Sequence, residues 1–205
     1  MVLEEGDILV ITSKIVALSE GKISEIENKE KIIKTQADKI INTPWAFLTF
    51  SQRGWEINLG IDESNAEGII FLPDNLWQLV EKIQDNLKSF FKLEKLGVII
   101  SDTKSLPLRA GTMGRALACA GFLPTKNYIG EEDLFKRKSR VTISNVVDAL
   151  TAAAVLEMGE GKEQTPLAVI KNANVDFVCR KLNAEEKELN ISPEQDIFSF
   201  VYKEM

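Results

Sequence analysis

Apolar residues fall into short blocks separated by charged turns, and the spacing within each block decides which element it predicts. Asp7–Ser13 (Asp-Ile-Leu-Val-Ile-Thr-Ser) sets four apolar residues side by side, three of them β-branched, which is the pattern of a largely buried strand. Ser19, Glu20, Gly21 and Lys22 read as a turn before Ile23. Apolar positions 32, 33, 37, 40 and 41 have helical spacing and predict a helix over Asn28–Asn42, stopped by Pro44. Phe47–Gln52 and Trp55–Leu59 flank Arg53-Gly54 as the arms of a hairpin. Ile69–Leu72 predicts a further strand ended by Pro73-Asp74, and Asp74 is placed to cap the next helix. That helix would bury Leu76, Leu79, Val80, Ile83, Leu87, Phe90 and Phe91 on one face, with Trp77 at the margin.

In the second half, residues 97–101 (Gly-Val-Ile-Ile-Ser) predict a buried strand, followed by Asp102-Thr103 in a turn and Pro107 in a loop. Residues 110–122 are rich in glycine and alanine, which suits either close internal packing or a subunit interface. Val141–Ser144 reads as a strand whose Ser144 caps a helix over Asn145–Met158, and Gly159 suits a left-handed helix end. Pro166–Lys171, Asp176–Lys181 and Asp196–Tyr202 read as later strands. The mixed alternation predicts an α+β fold, with residues 1–205 as a single domain, rather than a regular parallel α/β fold.

Composition narrows the function. A chain of 205 residues buries roughly 70% of its unfolded surface. Lys+Arg total 25 against Asp+Glu 31, a net charge of −6 that disfavours a nucleic-acid partner. No apolar run approaches the ~20 residues of a membrane span, and the N-terminus lacks a signal-peptide layout. The expected location is cytoplasmic, with Cys119 and Cys179 as reduced core residues.

The absence of histidine changes the candidate chemistry most. Any metal or phosphate site must use carboxylates, hydroxyls, basic side chains and backbone groups, and oxygen donors favour Mg²⁺ or Mn²⁺. Three oxygen-rich clusters stand out: Gly60-Ile61-Asp62-Glu63-Ser64-Asn65, Asp102-Thr103, and Met158-Gly159-Glu160-Gly161. Taken singly, each has an ordinary reading as polar loop, strand end or solvated surface. Taken together, three carboxylates at one point would repel by ~4 kcal/mol per pair at ~4 Å and intermediate dielectric, so their convergence would demand a cation. Lys14 can reach a phosphate or simply lie in solvent, and Arg109 before Gly111 can hold an anion or a surface ion pair. Gly159-Glu160-Gly161-Lys162 is followed by Glu163 and so fails the phosphate-loop pattern. No dinucleotide-binding fingerprint and no Ser-His-Asp triad are present.

These segments, in this order, resemble the coenzyme F420-0:γ-glutamyl ligase family over nearly the whole chain. The resemblance is carried by Gly6 to Val16 with Glu20-Gly21, by Gly60 to Asn65, and by Val98 to Thr103 continuing through Pro107, Arg109 and Gly111 to Ala120-Gly121. It ends with Asp148-Ala149-Leu150, Ala152 to Ala154, Met158 to Gly161, and Pro166. The resemblance implies an α+β, homodimeric ligase that uses GTP, releases GDP, and joins L-glutamate by an amide bond to an F420-0-like carboxylate through an acyl phosphate. It further implies two divalent ions, Mg²⁺ or Mn²⁺, with Asp62, Asp102, Thr103 and Glu160 as ligands. Ser13, Lys14 and Asn65 would contact the nucleotide, as would Met158, Gly159, Gly161 and Lys162 in a loop reaching Thr165. Arg109 would hold substrate or phosphate, and no catalytic proton acceptor is readable.

The chain departs from the family pattern at Leu18, Ser105-Leu106 and Lys136, and begins closer to its first motif than relatives do. A folate or pterin glutamate ligase, a nucleotide- or metal-binding homologue without catalysis, and a purely structural α+β domain are the rival readings.

Overall fold

The computed structural model describes residues 2–64 and 66–203. β1 (Asp7–Thr12) is buried along its length, as its apolar block requires. The chain then turns directly into α1 (Ser13–Ser19), an element the sequence pattern did not indicate. That helix buries only Ser13, Val16 and Ala17, too short a stripe to show a period. β2 (Ile23–Ser24) follows.

The helix predicted over 28–42 divides in two. α2 (Lys29–Gln36) stops where Ala37 turns extended, and residues 39–42 form β3 (Lys39–Asn42). The Asp38 N–H donates to Phe50 O at 2.9 Å, so the chain has already joined a sheet where Ile40 and Ile41 continue the helical spacing by coincidence. β3, β4 (Phe47–Ser51) and β5 (Gly54–Ile57) form an antiparallel meander, with the predicted hairpin turn at Gly54, φ +81°. β6 (Ile69–Ile70) pairs with β2.

α3 (Leu76–Phe91) follows Asn75, and Asp74 does not cap it. The Asp74 carboxylate is instead ion-paired with Lys22. Val80 is fully buried, and Leu76, Trp77, Leu79, Ile83, Leu87 and Phe91 pack on the core. Phe90 departs from the predicted stripe: it is 79% exposed, and its ring meets the edge of Phe91 at 4.9 Å. Successive residues on a helix point about 100° apart, so both rings cannot share one face.

β7 (Leu96–Ser105) runs past its predicted end, so Asp102 and Thr103 lie within a strand, not a turn. β8 (Thr112–Ala120) returns antiparallel beside it. β9 (Thr125–Asn127) and β10 (Ile143–Asn145) form a small two-stranded ribbon. α4 (Val146–Met158) is capped by Asn145, whose side chain accepts from the Asp148 N–H at 3.1 Å; Ser144 does not cap it. Gly159 closes the helix with φ +76° but ψ 165°, an extended exit in place of the left-handed one expected. β11 (Leu167–Ile170) comes next.

Among the described residues, 176–181 form no strand, only an isolated bridge between Phe122 and Phe177. The last predicted strand is instead α5 (Ser199–Lys203). Cys119 is buried as expected, but Cys179 is exposed; both are free.

The central sheet has the order β11-β1-β7-β8, with β1 and β7 parallel and the other pairs antiparallel. Leu9, Ile11, Val98 and Ile100 face α3, while Ile8, Val10 and Ile99 face α4. The mixed architecture is the α+β class that the sequence predicts. The small residues of 110–122 pack internally: a Cβ on Gly114 would lie 2.7 Å from the Val155 side chain and 2.8 Å from Thr151 O. Buried Glu81 on α3 holds the late segment in place through Lys187 at 2.6 Å and Lys181 at 3.2 Å. No helix among the described residues is long and apolar enough to cross a membrane.

Candidate active site

The site begins with one extra residue in β8. Ile100 pairs with Ala118 and Ser101 with Ala116, so Leu117 has no partner of its own. Such a bulge reverses the alternation of the strand beyond it. Gly114 and Ala116 therefore face α4, and Arg115 faces the other side, directly opposite Asp102. The Ala116 N–H is held by Asp148 Oδ1 at 2.8 Å.

A strained turn delivers the second carboxylate. Asn58, Leu59 and Gly60 all have positive φ, at 51°, 57° and 70°. For a buried leucine this conformation is costly and persists only when neighbours enforce it. Thr49 Oγ1 accepts from the Leu59 N–H at 2.9 Å, and Arg53 Nη2 donates to Leu59 O at 3.1 Å. The chain leaves this turn into Asp62, whose backbone exchanges hydrogen bonds with Ile70 at 2.8 and 3.0 Å.

Both carboxylates line a cleft of about 540 Å³ at the carboxyl ends of β1 and β7. Ligands in sheets with parallel strands bind at this end, where successive loops diverge. Ser13 and Lys14 enter from β1, Asp102 and Thr103 from β7, and the loop from Met158 to Pro166 closes the far side. Within that loop the Thr165 hydroxyl donates to Met158 O, and the Gly161 N–H donates to Glu163 Oε2 at 2.8 Å.

Lys14 and Asp62 are locked together. The Lys14 ammonium lies 2.7 Å from Asp62 Oδ2 and donates to Ser64 O and Oγ, both at 2.8 Å. The Ser64 N–H donates to Asp62 Oδ1 at 2.7 Å. Burial works to raise the Asp62 carboxyl, but the Lys14 and Ser64 hydrogen bonds outweigh it and hold it below its usual value.

Asp102 behaves oppositely. Burial pushes its carboxyl up to about 6, against the Thr103 N–H and Arg115, with Glu56 and Asp62 adding repulsion. Partial withdrawal from water raises Glu160 as well, opposed by Lys14 and reinforced by Asp62 and Glu163. Asp102 is thus an anion short of positive charge, in a cleft that also offers the oxygens of Asp62, Thr103 and Glu160. That donor chemistry fits a hard divalent cation. Among the described residues, no three carboxylate, thiol or imidazole side chains are close enough to form a ready-made metal site. Asp62, Asp102 and Glu160 share the cleft without meeting at one point.

The pattern described as F420-0:Gamma-glutamyl ligase matches residues 28–172, well over half of the chain. The chain belongs to the F420-0:γ-glutamyl ligase family. Its relatives in that family include the coenzyme F420:L-glutamate ligase of Methanocaldococcus jannaschii, 32% identical across 96% of this chain and 86% of that protein. The enzymes of the same name from Methanococcus maripaludis (31% identical, 96% and 86% covered) and Methanosarcina acetivorans (30%, 93% and 80%) are similar to it as well.

Of the residues that the family resemblance singles out, Ser13, Lys14, Asp62, Asp102, Thr103, Met158, Gly159, Glu160, Gly161 and Lys162 all line the one cleft. Asn65 lies outside the described residues. Arg109 is not on the cleft wall; it sits in the exposed turn between β7 and β8, where its N–H donates to Leu106 O at 3.3 Å. β7 extends through Ser105, and Arg109 follows in the turn beyond it. Glu56 and Arg115 escaped the sequence reading. Each looks like an ordinary strand charge, and only the bulge and the meander bring them beside Asp102.

Proposed function

We propose that this chain is a GTP- and divalent-metal-dependent ligase that joins L-glutamate to the carboxylate of an F420-0-type acceptor. The observation that carries the reading is the assembly of Lys14, Asp62, Asp102 and the Met158–Pro166 loop around one cleft, in a chain of this family. A carboxylate is a poor electrophile, so its oxygen first takes the terminal phosphoryl group of the nucleotide and the nucleoside diphosphate leaves. The glutamate amine then attacks the acyl carbon, a C–N bond forms, phosphate departs, and the amine gives up a proton. Catalysis of this kind rests on positioning and on neutralising phosphate charge.

In this reading Asp62, Asp102, Thr103 and Glu160 hold two Mg²⁺ or Mn²⁺ ions, which when bound would neutralise phosphate oxygens. Ser13, Lys14, Asn65 and the loop around Gly159, Gly161 and Lys162 hold the nucleotide. Lys14, paired with Asp62 in the free protein, would exchange that partner for a phosphate oxygen. The proposal includes a homodimer and a cytoplasmic location. Leu134 and Phe135, 99% and 77% exposed between β9 and β10, leave apolar surface for a second copy, and light scattering of the intact chain tests this.

The direct test is glutamate-dependent GDP release on adding F420-0, GTP and Mn²⁺. Turnover that requires both glutamate and acceptor, with an amide product by mass spectrometry, is the expected result. Nucleotide binding without turnover on F420-0, dihydropteroate or tetrahydrofolate would leave a binding protein instead.

A further inference from the structure

A second cleft, of about 830 Å³, lies against the first: Phe71 and Leu72 form part of the wall of both. Its lining is apolar at Leu59, Ile61 and Leu117, yet it also carries Arg53 and Arg115, with Lys22 at the edge.

The charges there are closely packed. Buried Glu56 is engaged by both guanidinium groups: Arg53 Nη2 lies 3.0 Å away, and Arg115 Nη2 bonds its other oxygen. Lys22 is matched by Asp74. Two guanidiniums thus share the Glu56 carboxylate on this wall, while Asp102, across the ladder from Arg115, lines the first cleft. Arg115 is also incompletely satisfied. Its Nε is enclosed and has no hydrogen-bond partner among the described residues, and a buried donor without an acceptor is unfavourable. A guanidinium also presents its donors in a fixed fork that matches carboxylate and phosphate oxygens.

Position adds a second constraint. Arg115 stands across the β7–β8 ladder from Asp102, which lines the first cleft, so an anion held by Arg115 lies next to the candidate phosphoryl-transfer chemistry. Volume adds a third. Drug-sized ligands occupy pockets of roughly 300–1,000 Å³, whereas a free amino acid would leave most of this cleft empty.

Building on the ligase reading, we propose that the second cleft is the acceptor site. It takes an organic anion with an apolar body, whose acidic end is held by Arg115 at the Phe71–Leu72 wall, while nucleotide occupies the first cleft. Glutamate, whose carboxylates share this chemistry, is too small to be its principal occupant.

The experiment measures equilibrium binding of the deazaflavin F420-0 by its own fluorescence anisotropy, without nucleotide or metal. The wild type, Arg115→Met and Gln36→Trp are compared. Gln36 is an exposed residue at the end of α2 that lines the cleft, so a tryptophan there obstructs it without touching the core. The expected result is at least tenfold weaker binding for Arg115→Met and several-fold weaker binding for Gln36→Trp. The melting shift given by Mn²⁺ plus GDP should be retained in both, and millimolar L-glutamate should not displace the probe.

Wild-type affinity in both variants, competitive displacement by glutamate, or no binding to the wild type would each overturn the assignment. Arg115-dependent binding without turnover would overturn the ligase reading and keep the cleft. Turnover with binding unaltered in both variants would do the reverse.

Discussion

Asp102 and Arg115 face each other across β7 and β8 because Leu117 is an extra residue in the return strand. Without that bulge, Arg115 would point toward α4 and Asp102 would have no cation across the ladder. Even with it, burial wins, and the Asp102 carboxyl is pushed up to about 6 from 3.8.

The sign of the consequence for stability is fixed. A carboxyl whose pKa is higher folded than unfolded binds more protons in the native state, so stability falls as pH rises from about 4 to 6 and stays lower above that. Asp102→Asn removes the buried charge. In metal-free protein it should stabilise by about 1–3 kcal/mol at pH 8, and the gain should vanish near pH 4. Paired melting curves of wild type and variant across this range check it; equal melting temperatures at pH 8 would show the carboxylate to be well solvated.

The same substitution should act oppositely on ligand-induced stability. Mn²⁺ with GDP should raise the melting temperature of the wild type, more strongly above pH 6 because the cation competes with the Asp102 proton. Asp102→Asn should lose most of that rise. A full shift in the variant would remove Asp102 from the proposed ligand set.

Lys14 makes a separate prediction. Its ammonium sits 2.7 Å from Asp62, where a cation bound to that carboxylate would have to displace it. Lys14→Met should tighten binding of Mn²⁺ alone by several-fold, by removing that competitor. It should weaken GTP at least tenfold in the presence of Mn²⁺, through loss of a phosphate contact. Calorimetric titrations of both ligands separate the two effects, and parallel weakening of both would mean that Lys14 merely supports the fold.

How far the site was readable depended on how local its causes are. β1 and the apolar start of β7 followed from uninterrupted β-branched runs, and the hairpin at Gly54 followed from its turn residues. The family motifs singled out Asp62, Asp102 and Glu160, which all line the one cleft. The true extent of β7 was hidden because Asp102, Thr103 and Lys104 are polar, and a strand lining a cleft loses the apolar signal that marks a buried one. Arg115 could not be found at all, since its orientation depends on a single unpaired residue, Leu117, in the pairing of β8 with β7. Residues 37–42 misled for the opposite reason: isoleucines at helical spacing were recruited by a neighbouring strand, so tertiary pairing overrode local period.

The seat of α4 on the sheet gives a test of packing. Any side chain on Gly114 meets Val155 at 2.7 Å and the Thr151 carbonyl at 2.8 Å. Gly114→Ala should destabilise by about 1–3 kcal/mol through overpacking. Adding Val155→Ala should recover only part of this, because the Thr151 carbonyl belongs to the helix backbone. Urea unfolding of the single and double variants reads both numbers, and a neutral single variant would mean that α4 rides freely over β8.

Glu81 offers the last test, far from the cleft. It is 7% exposed on α3, and the ammonium groups of Lys187 and Lys181 lie 2.6 and 3.2 Å from its two oxygens. Burial works to raise its carboxyl, but the two lysines prevail and hold it below 4.5. A depressed pKa stabilises above the unfolded value, and that stabilisation disappears as pH falls through the folded one. Glu81→Gln leaves two lysines side by side over a partly buried amide. Breaking a fully buried pair costs about 3–5 kcal/mol; here Lys181 is largely solvated, so about 1–3 kcal/mol is expected at pH 7, shrinking below pH 4. Limited proteolysis at pH 7 should cut the variant faster between residues 181 and 187, because that stretch is tied to α3 through this carboxylate. If cutting is unchanged while global stability falls, Glu81 supports α3 itself and the late segment is held by its apolar contacts, such as buried Leu182.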